Sequence, residues 1–196
     1  MNLSPERTNL VDYTPPNFRV DKVYLDFQLD QTCTIVKNTM KISRVSKGPL
    51  VLDGEDIELI SIKVNNEPLK KEFYKIESSQ LTINNIPDEF SLELINTINP
   101  SINSGLMGLY LSDNKFCTQC EAEGFRRITY YLDRPDILST FKVKITANKN
   151  NYPYLLANGN MVESGELPKG QHFAIWEDPF PKPAYLFALI AGNFDV

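Results

Sequence analysis

The sequence predicts a mainly β protein, in which antiparallel strands form a sandwich or sheet and helix is nearly absent. Apolar and polar residues alternate in many short segments of the 196-residue chain, which is the pattern of strands with one buried face. These segments recur roughly every 8 to 12 residues, and turn-forming Gly, Pro, Asn and Asp separate them. Only one segment has the pattern of a helix. We therefore expect less than about one-fifth helix.

The strands follow a polar stretch, residues 1–16, that predicts a loose N-terminal arm. In the first strand the alternation changes phase at Asp21–Lys22, which predicts a β-bulge. Two short segments, 73–76 and 81–83, are close enough in the chain to form a hairpin. The predicted strands are 18–29, 40–42, 50–52, 57–64, 73–76, 81–83, 90–94, 141–145 and 154–156.

The single predicted helix covers residues 133–139, about two turns at most. Asp133 is a suitable N-cap, and Pro135 follows at a position that the first turn of a helix tolerates. Asn158–Gly159 lies between two apolar segments and predicts a hairpin turn, because both residue types tolerate positive φ.

The C-terminal part of the chain predicts a strand that is buried on both faces. Residues 178–183 contain three prolines and predict a stiff loop, which leads into a continuous apolar run at 184–192. The chain stops four residues later at Val196. A buried strand so close to the end predicts that residues 1–196 are one domain of a longer protein.

Composition excludes several classes of partner. The net charge is −5 and the isoelectric point is near 5.0, so a nucleic-acid-binding surface is not expected. The apolar run at 184–192 is far shorter than the about 20 residues that span a bilayer. Residues 1–7 are polar and do not resemble a signal peptide. Three cysteines, an odd number, fit a reduced cytoplasmic protein.

The chain has too few ligands for a multi-histidine zinc site. His172 is the single histidine, and no H-E-x-x-H motif is present. Cys117-x-x-Cys120 has the spacing of redox and zinc motifs. A redox motif of this type begins a helix in a βαβ unit, and a structural zinc needs a second ligand pair, for which only Cys33 and His172 remain. We interpret the pair as reduced thiols and predict no metal site.

Residues 117–136 are the strongest candidate for a functional site. Acids, amides, arginines and tyrosines are concentrated there in a segment that also contains apolar residues. Buried polar groups must be paired or used, so this density predicts a site.

These residues resemble the N-terminal domain of the bacterial aminopeptidase N family, zinc aminopeptidases of the thermolysin-like superfamily. The resemblance covers essentially the whole chain. Within the family, the sequence resembles the bacterial alanyl-preferring subgroup. The residues that carry it are Glu55, Gln119-x-Glu121, Phe125-Arg126-Arg127, Tyr131-Leu132-Asp133-Arg134-Pro135, Phe141, Tyr185-Leu186-Phe187-Ala188 and Gly192-Asn193-Phe194.

The resemblance implies a saddle-like β domain that packs on a catalytic domain of the same polypeptide. It implies that Glu121 binds the α-ammonium group of a peptide substrate and that Gln119 forms a wall of the pocket for the first side chain. The zinc ligands, the catalytic glutamate and a Gly-Ala-Met-Glu-Asn loop lie later in such chains and are missing from these 196 residues. We therefore predict no catalytic residue, zinc only in the longer parent, and no activity of this chain alone.

Each assignment has an alternative. Glu121 could form a salt bridge with Arg126 or Arg127, and the Gln119 amide could be satisfied within a turn. Both side chains would share a face if they lay on one strand. The chain as a whole could instead be a stand-alone β-sandwich module that binds a peptide or a protein.

Overall fold

The computed structural model describes residues 10–194, and nearly all regular structure in them is β. The strands, in chain order, are β1 (Phe18–Gln28), β2 (Thr34–Arg44), β3 (Leu50–Asp53), β4 (Glu58–Val64), β5 (Glu67–Pro68), β6 (Tyr74–Glu77), β7 (Gln80–Ile83), β8 (Glu89–Ile98), β9 (Gly108–Ser112), β10 (Lys115–Gln119), β11 (Ser139–Asn148), β12 (Tyr154–Ala157), β13 (Asn160–Leu167), β14 (Gln171–Lys182) and β15 (Leu189–Gly192). The mainly β prediction is confirmed.

Helix is limited to single 3₁₀ turns within the described residues. They are Leu10–Asp12, Lys71–Phe73, Pro100–Ile102, Phe125–Arg127, Pro168–Gly170 and Ala184–Leu186.

The strands form three sheets. The largest has eight strands in the order β13-β14-β11-β1-β2-β8-β4-β5, a second has the order β12-β15-β10-β9, and a third has the order β3-β7-β6. Of the strand pairs in residues 10–194, only β1 and β11 are parallel. The predicted bulge is present, since the register between β1 and β2 shifts between Val20 and Lys22. The predicted hairpin of β6 and β7 is also present.

Alternation along the strands of the large sheet creates one buried and one partly exposed face. In β2 and β8 every second side chain is buried, as the side-chain period of two requires. The two smaller sheets contribute Leu50, Leu81, Phe116 and Leu189 to the same hydrophobic cluster. The core therefore lies between the large sheet and the two small ones.

The predicted helix at 133–139 is wrong. The Asp133 carboxylate does not cap this segment, because it accepts hydrogen bonds from the backbone N–H and Nε of Arg126 at 3.1 and 3.0 Å. Pro135 also disfavours a helical conformation for the residue before it. One N–H, that of Ile137, returns to the Arg134 carbonyl at 3.2 Å, and β11 begins at Ser139.

The predicted hairpin at Asn158–Gly159 is also wrong, because the two strands belong to different sheets. β12 pairs with β15, whereas β13 pairs with β14. The Asn158 side chain accepts the N–H of Ala188 at 2.6 Å and donates to the Leu186 carbonyl at 3.1 Å. Gly159 has φ +88°, and a Cβ there would lie 2.2 Å from the Glu177 carbonyl oxygen. The chain does turn at Asn158–Gly159, but β12 and β13 on either side pair with β15 and β14 and not with each other.

The C-terminal region also differs from its prediction. The expected loop at 178–183 is mostly the end of β14, which continues to Lys182. The expected strand at 184–192 is reduced to β15, with a 3₁₀ turn at Ala184–Leu186 before it. Ile190 is 38% exposed, so β15 is not buried on both faces. The apolar run is divided because Ala184 and Phe187 pack into the core from a turn.

The expected loose arm at residues 1–16 lies partly outside the described residues. Its described part is attached to the domain. Tyr13 donates a hydrogen bond to Asp136 at 2.9 Å, and Arg134 donates to the Thr14 carbonyl at 2.9 Å.

Candidate functional site

The candidate site begins where β10 ends. Gln119 is the last residue of β10, and Glu121 lies beyond it in a turn. The two residues therefore do not lie on one strand, which was the condition for a shared face. The Gln119 side-chain amide instead donates to the Glu121 backbone carbonyl at 3.2 Å. Both residues are exposed, and the Glu121–Ala122 peptide bond is cis.

A close backbone contact holds the turn after Glu121. The Gly124 N–H donates to the Cys120 carbonyl at 2.8 Å. A Cβ at Gly124 would lie 2.3 Å from the Gln119 carbonyl oxygen and 3.0 Å from the Gly108 nitrogen. Because a side chain cannot fit there, a glycine is required for the turn to return against β10 and β9. The sequence analysis did not identify this glycine.

Arg126 is bound by three carboxylates. Its Nε lies 3.0 Å from Asp133, and its Nη2 lies 3.3 Å from Glu123 and 4.0 Å from Asp53. Burial raises the pKa of the Asp133 carboxyl, and the hydrogen bonds from Arg126 oppose that rise. The Arg126–Asp133 pair fixes the base of the turn.

Arg127 is bound by the loop that follows β3. It lies 3.0 Å from Glu55 and 2.7 Å from Asp56. The same loop is attached by its backbone, since the Glu55 N–H donates to the Arg126 carbonyl at 2.9 Å. Asp53 and Tyr131 form an antiparallel bridge, in which each N–H donates to the other residue's carbonyl with N to O distances of 2.8 and 3.0 Å. Residues 53–56 thus occupy one side of the site.

Glu121 has no ion-pair partner in residues 10–194. The alternative salt bridge to Arg126 or Arg127 is not formed, because other carboxylates occupy both arginines. The Glu121 side chain also makes no hydrogen bond in this part of the chain, and it is exposed. An exposed carboxylate beside two neutralised arginines can accept a cation from outside the chain.

Two buried asparagines of the large sheet form hydrogen bonds with residues 128–130 of the site segment. Asn96, near the C-terminal end of β8, donates to the Ile128 carbonyl at 2.9 Å. Asn38, in β2, donates to Thr129 Oγ1 and to the Tyr130 carbonyl, both at 3.4 Å. Both side chains are fully buried, and each Oδ1 has no partner among the described residues. These amides connect the large sheet to the backbone of the site.

Sequence reasoning missed the two asparagines, although a signal was present. Asn38 is the next buried position after Val36, and Asn96 is the next buried position after Leu94. The alternation of each strand predicts an apolar residue at that position. A polar residue at a buried position needs a hydrogen-bond partner.

An aromatic cluster supports the segment from the core. Phe125 is fully buried and contacts Tyr131, Phe141 and Phe187, with ring centroids 4.9, 6.1 and 5.3 Å away. The Tyr131 hydroxyl lies 2.7 Å from Ser139 Oγ, which donates to the Val20 carbonyl at 2.5 Å. The residues between Glu121 and Asp133 are therefore fixed by the core as well as by ion pairs.

Partly exposed apolar side chains lie on the outer face of the four-stranded sheet, next to the site. Tyr154, Leu156 and Ile190 are 39%, 42% and 38% exposed. Leu156 and Ile190 are cross-strand neighbours, and Ile190 is opposite Cys117 of β10. An apolar face of this kind is typical of a surface that another domain or protein covers.

The thiols and the histidine do not form a metal site. Cys33, Cys117 and Cys120 are free. Burial raises the pKa of both the Cys117 and the Cys120 thiol. The His172 Nε2 lies 2.7 Å from the Tyr152 carbonyl. Among residues 10–194 no group of three or more His, Cys, Asp or Glu side chains could hold a metal ion. Residues 10–194 therefore provide no ligand set that fits zinc.

No helix in the described part of the chain is both long and apolar enough to cross a membrane.

Comparison with known sequences supports the resemblance. The sequence profile described as the peptidase M1 N-terminal domain matches residues 15–186. Aminopeptidase N of Escherichia coli K12 is 49% identical over 198 residues, which cover 100% of this chain and 22% of that protein. Aminopeptidase N of Caulobacter vibrioides is also 49% identical, over 98% of this chain and 22% of its own length. The chain thus spans about a fifth of the length of these relatives.

Comparison with solved structures gives the same result. Legionella pneumophila aminopeptidase A, solved in complex with aspartic acid, is 37% identical with a TM-score of 0.91, over 96% of this chain and 23% of that one. An M1 zinc metallopeptidase mutant from Deinococcus radiodurans, bound to a Tyr-Ser-Ala substrate, has a TM-score of 0.76 at 19% identity. The match covers 90% of this chain and 42% of the Deinococcus chain. At 19% identity the likeness concerns the fold alone.

Proposed function

The chain belongs to the family of peptidase M1 N-terminal domains, and from this premise we propose that it is the substrate-anchoring domain of a zinc aminopeptidase. In this role the domain binds the free N-terminus of a peptide while residues elsewhere in the polypeptide cleave the first peptide bond. Support comes from the bacterial relatives named aminopeptidase N, of which this chain spans 22%.

The observation that carries the proposal is the exposed carboxylate of Glu121, which has no ion-pair partner in residues 10–194. Every aminopeptidase substrate has a free α-ammonium group, and a carboxylate is its natural partner. A charge-assisted hydrogen bond of this kind contributes roughly 1.5–3 kcal/mol, and more when water is excluded. Arg126 and Arg127 do not compete for Glu121, because their own carboxylates hold them.

Gln119 is proposed to form a wall of the pocket for the first substrate side chain. Its amide donates to the Glu121 carbonyl, which fixes the amide next to the proposed ammonium site. The amide oxygen remains available to a substrate or to water, since the hydrogen bond uses only one donor.

Zinc is proposed to lie outside this chain, in the catalytic domain of the same polypeptide. When bound, such an ion polarises a carbonyl group and activates water. The described residues contain no ligand set for it, so the contribution of this domain is to bind and orient the substrate. We expect the isolated chain to hydrolyse no aminoacyl substrate.

The apolar face formed by Tyr154, Leu156 and Ile190 is proposed to contact that catalytic domain. It adjoins β10, whose end carries Gln119, so the contact would bring Glu121 and Gln119 to the edge of the interface. Phe180, which is 74% exposed, is a further apolar residue available for such a contact. We further propose a cytoplasmic protein, in keeping with the three free thiols.

The test uses the full-length protein with Glu121→Ala. We expect kcat/KM for peptides with a free N-terminus to fall about ten- to two-hundred-fold, which corresponds to roughly 1.5–3 kcal/mol. Zinc content and folding should be unchanged. Glu121→Gln should give an intermediate loss, because the amide retains an acceptor but no charge.

An N-acetylated substrate provides the control. The wild type should cleave this substrate with a low kcat/KM, because the substrate has no ammonium group. For the same reason the substitution should hardly change that kcat/KM. Equal losses on free and blocked substrates would mean that Glu121 supports the structure and not the substrate.

The length of the encoding reading frame distinguishes the aminopeptidase domain from the alternative, a stand-alone binding module. A frame that continues for several hundred residues and encodes H-E-x-x-H supports the aminopeptidase. A frame that ends near Val196 supports the module.

A further inference from the structure

The exposed face of the eight-stranded sheet carries a row of four donor side chains on neighbouring strands. Ser91 of β8 is the register partner of Lys41 in β2, and Lys41 is the partner of Lys22 in β1. Lys22 is in turn the partner of Thr140 in β11. All four line a cavity of about 410 Å³. The row therefore crosses four strands of one sheet and ends in hydroxyl groups on both sides.

Two lysines directly opposite each other destabilise a sheet, because their charges repel. Neither Lys22 nor Lys41 has a carboxylate partner in residues 10–194, whereas four other lysines of this face do. The paired lysines are Lys37 and Lys63, both with Glu93, Lys142 with Glu177, and Lys144 with Asp26. Within the described part of the chain, the positive charge of the row thus has no ion-pair partner.

The β-bulge places Lys22 in this row. The register shift between Val20 and Lys22 leaves Asp21 and Lys22 both exposed. The Asp21 carboxylate, the nearest in the chain, is held by Arg19 at 3.0 Å and by the Ser43 hydroxyl at 2.9 Å. It is therefore not available to either lysine of the row.

The carboxylates in the cavity wall are also occupied. Glu177 is 2.5 Å from Lys142, and Asp178 is paired with Lys182. The hydroxyl groups of Ser91 and Thr140 make no hydrogen bond to the described part of the protein, so they can donate to a ligand. Tyr24 and Pro179 add apolar surface to the wall. Such a wall suits an organic ligand better than a hydrated ion.

We propose that the row Ser91–Lys41–Lys22–Thr140 is a binding site for an organic oxyanion, a phosphate or carboxylate group attached to an apolar moiety. The oxyanion lies between the two ammonium groups, since neighbouring strands are only about 4.8 Å apart. The two hydroxyl groups donate to its remaining oxygens. This site lies on the eight-stranded sheet, whereas Glu121 follows a strand of the four-stranded sheet. The proposal does not depend on the aminopeptidase assignment.

The test is a titration of the ¹⁵N-labelled chain at constant ionic strength with phenyl phosphate, benzoate and inorganic phosphate. We expect saturable shifts of the amide signals of the four row residues with at least one organic probe. Phenyl phosphate and benzoate distinguish a phosphate from a carboxylate ligand, and inorganic phosphate should bind more weakly than phenyl phosphate if the apolar wall contributes.

The variant K22Q/K41Q should bind the better probe at least about tenfold more weakly, because two charge-assisted contacts are lost. The matched control K71Q/K169Q removes two exposed lysines that also have no ion pair among the described residues, and it should bind like the wild type. Both variants change the net charge equally, so a general electrostatic effect would weaken both.

Thermal unfolding gives a second measurement. The probe should raise the Tm of the wild type and of K71Q/K169Q but not that of K22Q/K41Q. Without a probe, Lys41→Gln should not lower the Tm, because it removes a like-charge contact. Wild-type affinity in K22Q/K41Q, or shifts that do not saturate with any probe, would overturn the proposal.

Discussion

The side-chain amide of Asn96 donates a hydrogen bond to the backbone carbonyl of Ile128 at 2.9 Å, from a buried position near the end of β8 to the segment that carries the candidate site. The two residues are 32 positions apart in the chain. The contact connects the large sheet to the segment that follows Glu121, and its donor is a fully buried residue.

Asn96→Ala should therefore destabilise the protein. The substitution leaves the Ile128 carbonyl buried without its donor, which costs about 1–3 kcal/mol. Urea unfolding should show a lower midpoint with an unchanged m-value. Asn150→Ala, at an exposed position, is the control and should change stability by less than about 0.5 kcal/mol. Equal stability of both variants would show that water replaces the Asn96 amide.

The two arginines of the site should differ in their importance for folding. Arg126→Ala leaves the Asp133 carboxylate buried and unpaired, for which the expected loss is about 3–5 kcal/mol. Arg127 pairs with Glu55 and with the exposed Asp56, so Arg127→Ala should cost only about 0–1 kcal/mol. Chemical denaturation of both variants measures the difference. Similar losses would contradict the structural role assigned to the Arg126–Asp133 pair.

The stability of the domain should fall in acid through Glu93. The hydrogen bond from Lys37 is the largest cause that lowers the pKa of this carboxyl, and Lys63 adds to it. Because the pKa is lower in the folded state, the stabilisation is present above the ordinary pKa of glutamate, about 4.3. It is lost as the pH falls from there through the folded value.

Glu93→Gln should remove this part of the pH dependence. The variant should be less stable than the wild type at pH 7, and the difference should shrink as the pH falls below about 4. Thermal unfolding at several pH values measures both curves. A constant difference across this range would mean that Glu93 acts through packing and not through its charge.

The three thiols should react at different rates. Cys33 is exposed, Cys117 is partly buried and Cys120 is buried, and burial raises the pKa of the latter two. A thiol reagent should modify Cys33 rapidly, Cys117 slowly, and Cys120 only after denaturation, because the thiolate is the reactive form. Cys33→Ser should abolish the fast phase. A fast phase that remains in this variant would place Cys117 or Cys120 in a more open environment.

The sequence alone determined the fold class, most strands and the position of the candidate site. Period-two patterning depends only on which side chains face the core, so it identified β1, its bulge and the β6–β7 hairpin. The motif around Gln119 and Glu121 was sufficient to nominate both residues, although their roles remain proposals.

The tertiary structure decided which groups are partners, because that depends on contacts between residues far apart in the chain. Asp133 binds Arg126 and therefore does not cap a helix. Asn158 bonds to the Leu186–Ala188 turn and connects two sheets instead of a hairpin. Arg127 is neutralised by Asp56, 71 residues away. The ion pairs of Arg126 and Arg127 leave Glu121 without a salt bridge in residues 10–194, and no local pattern of residues encodes the pairs of Arg127.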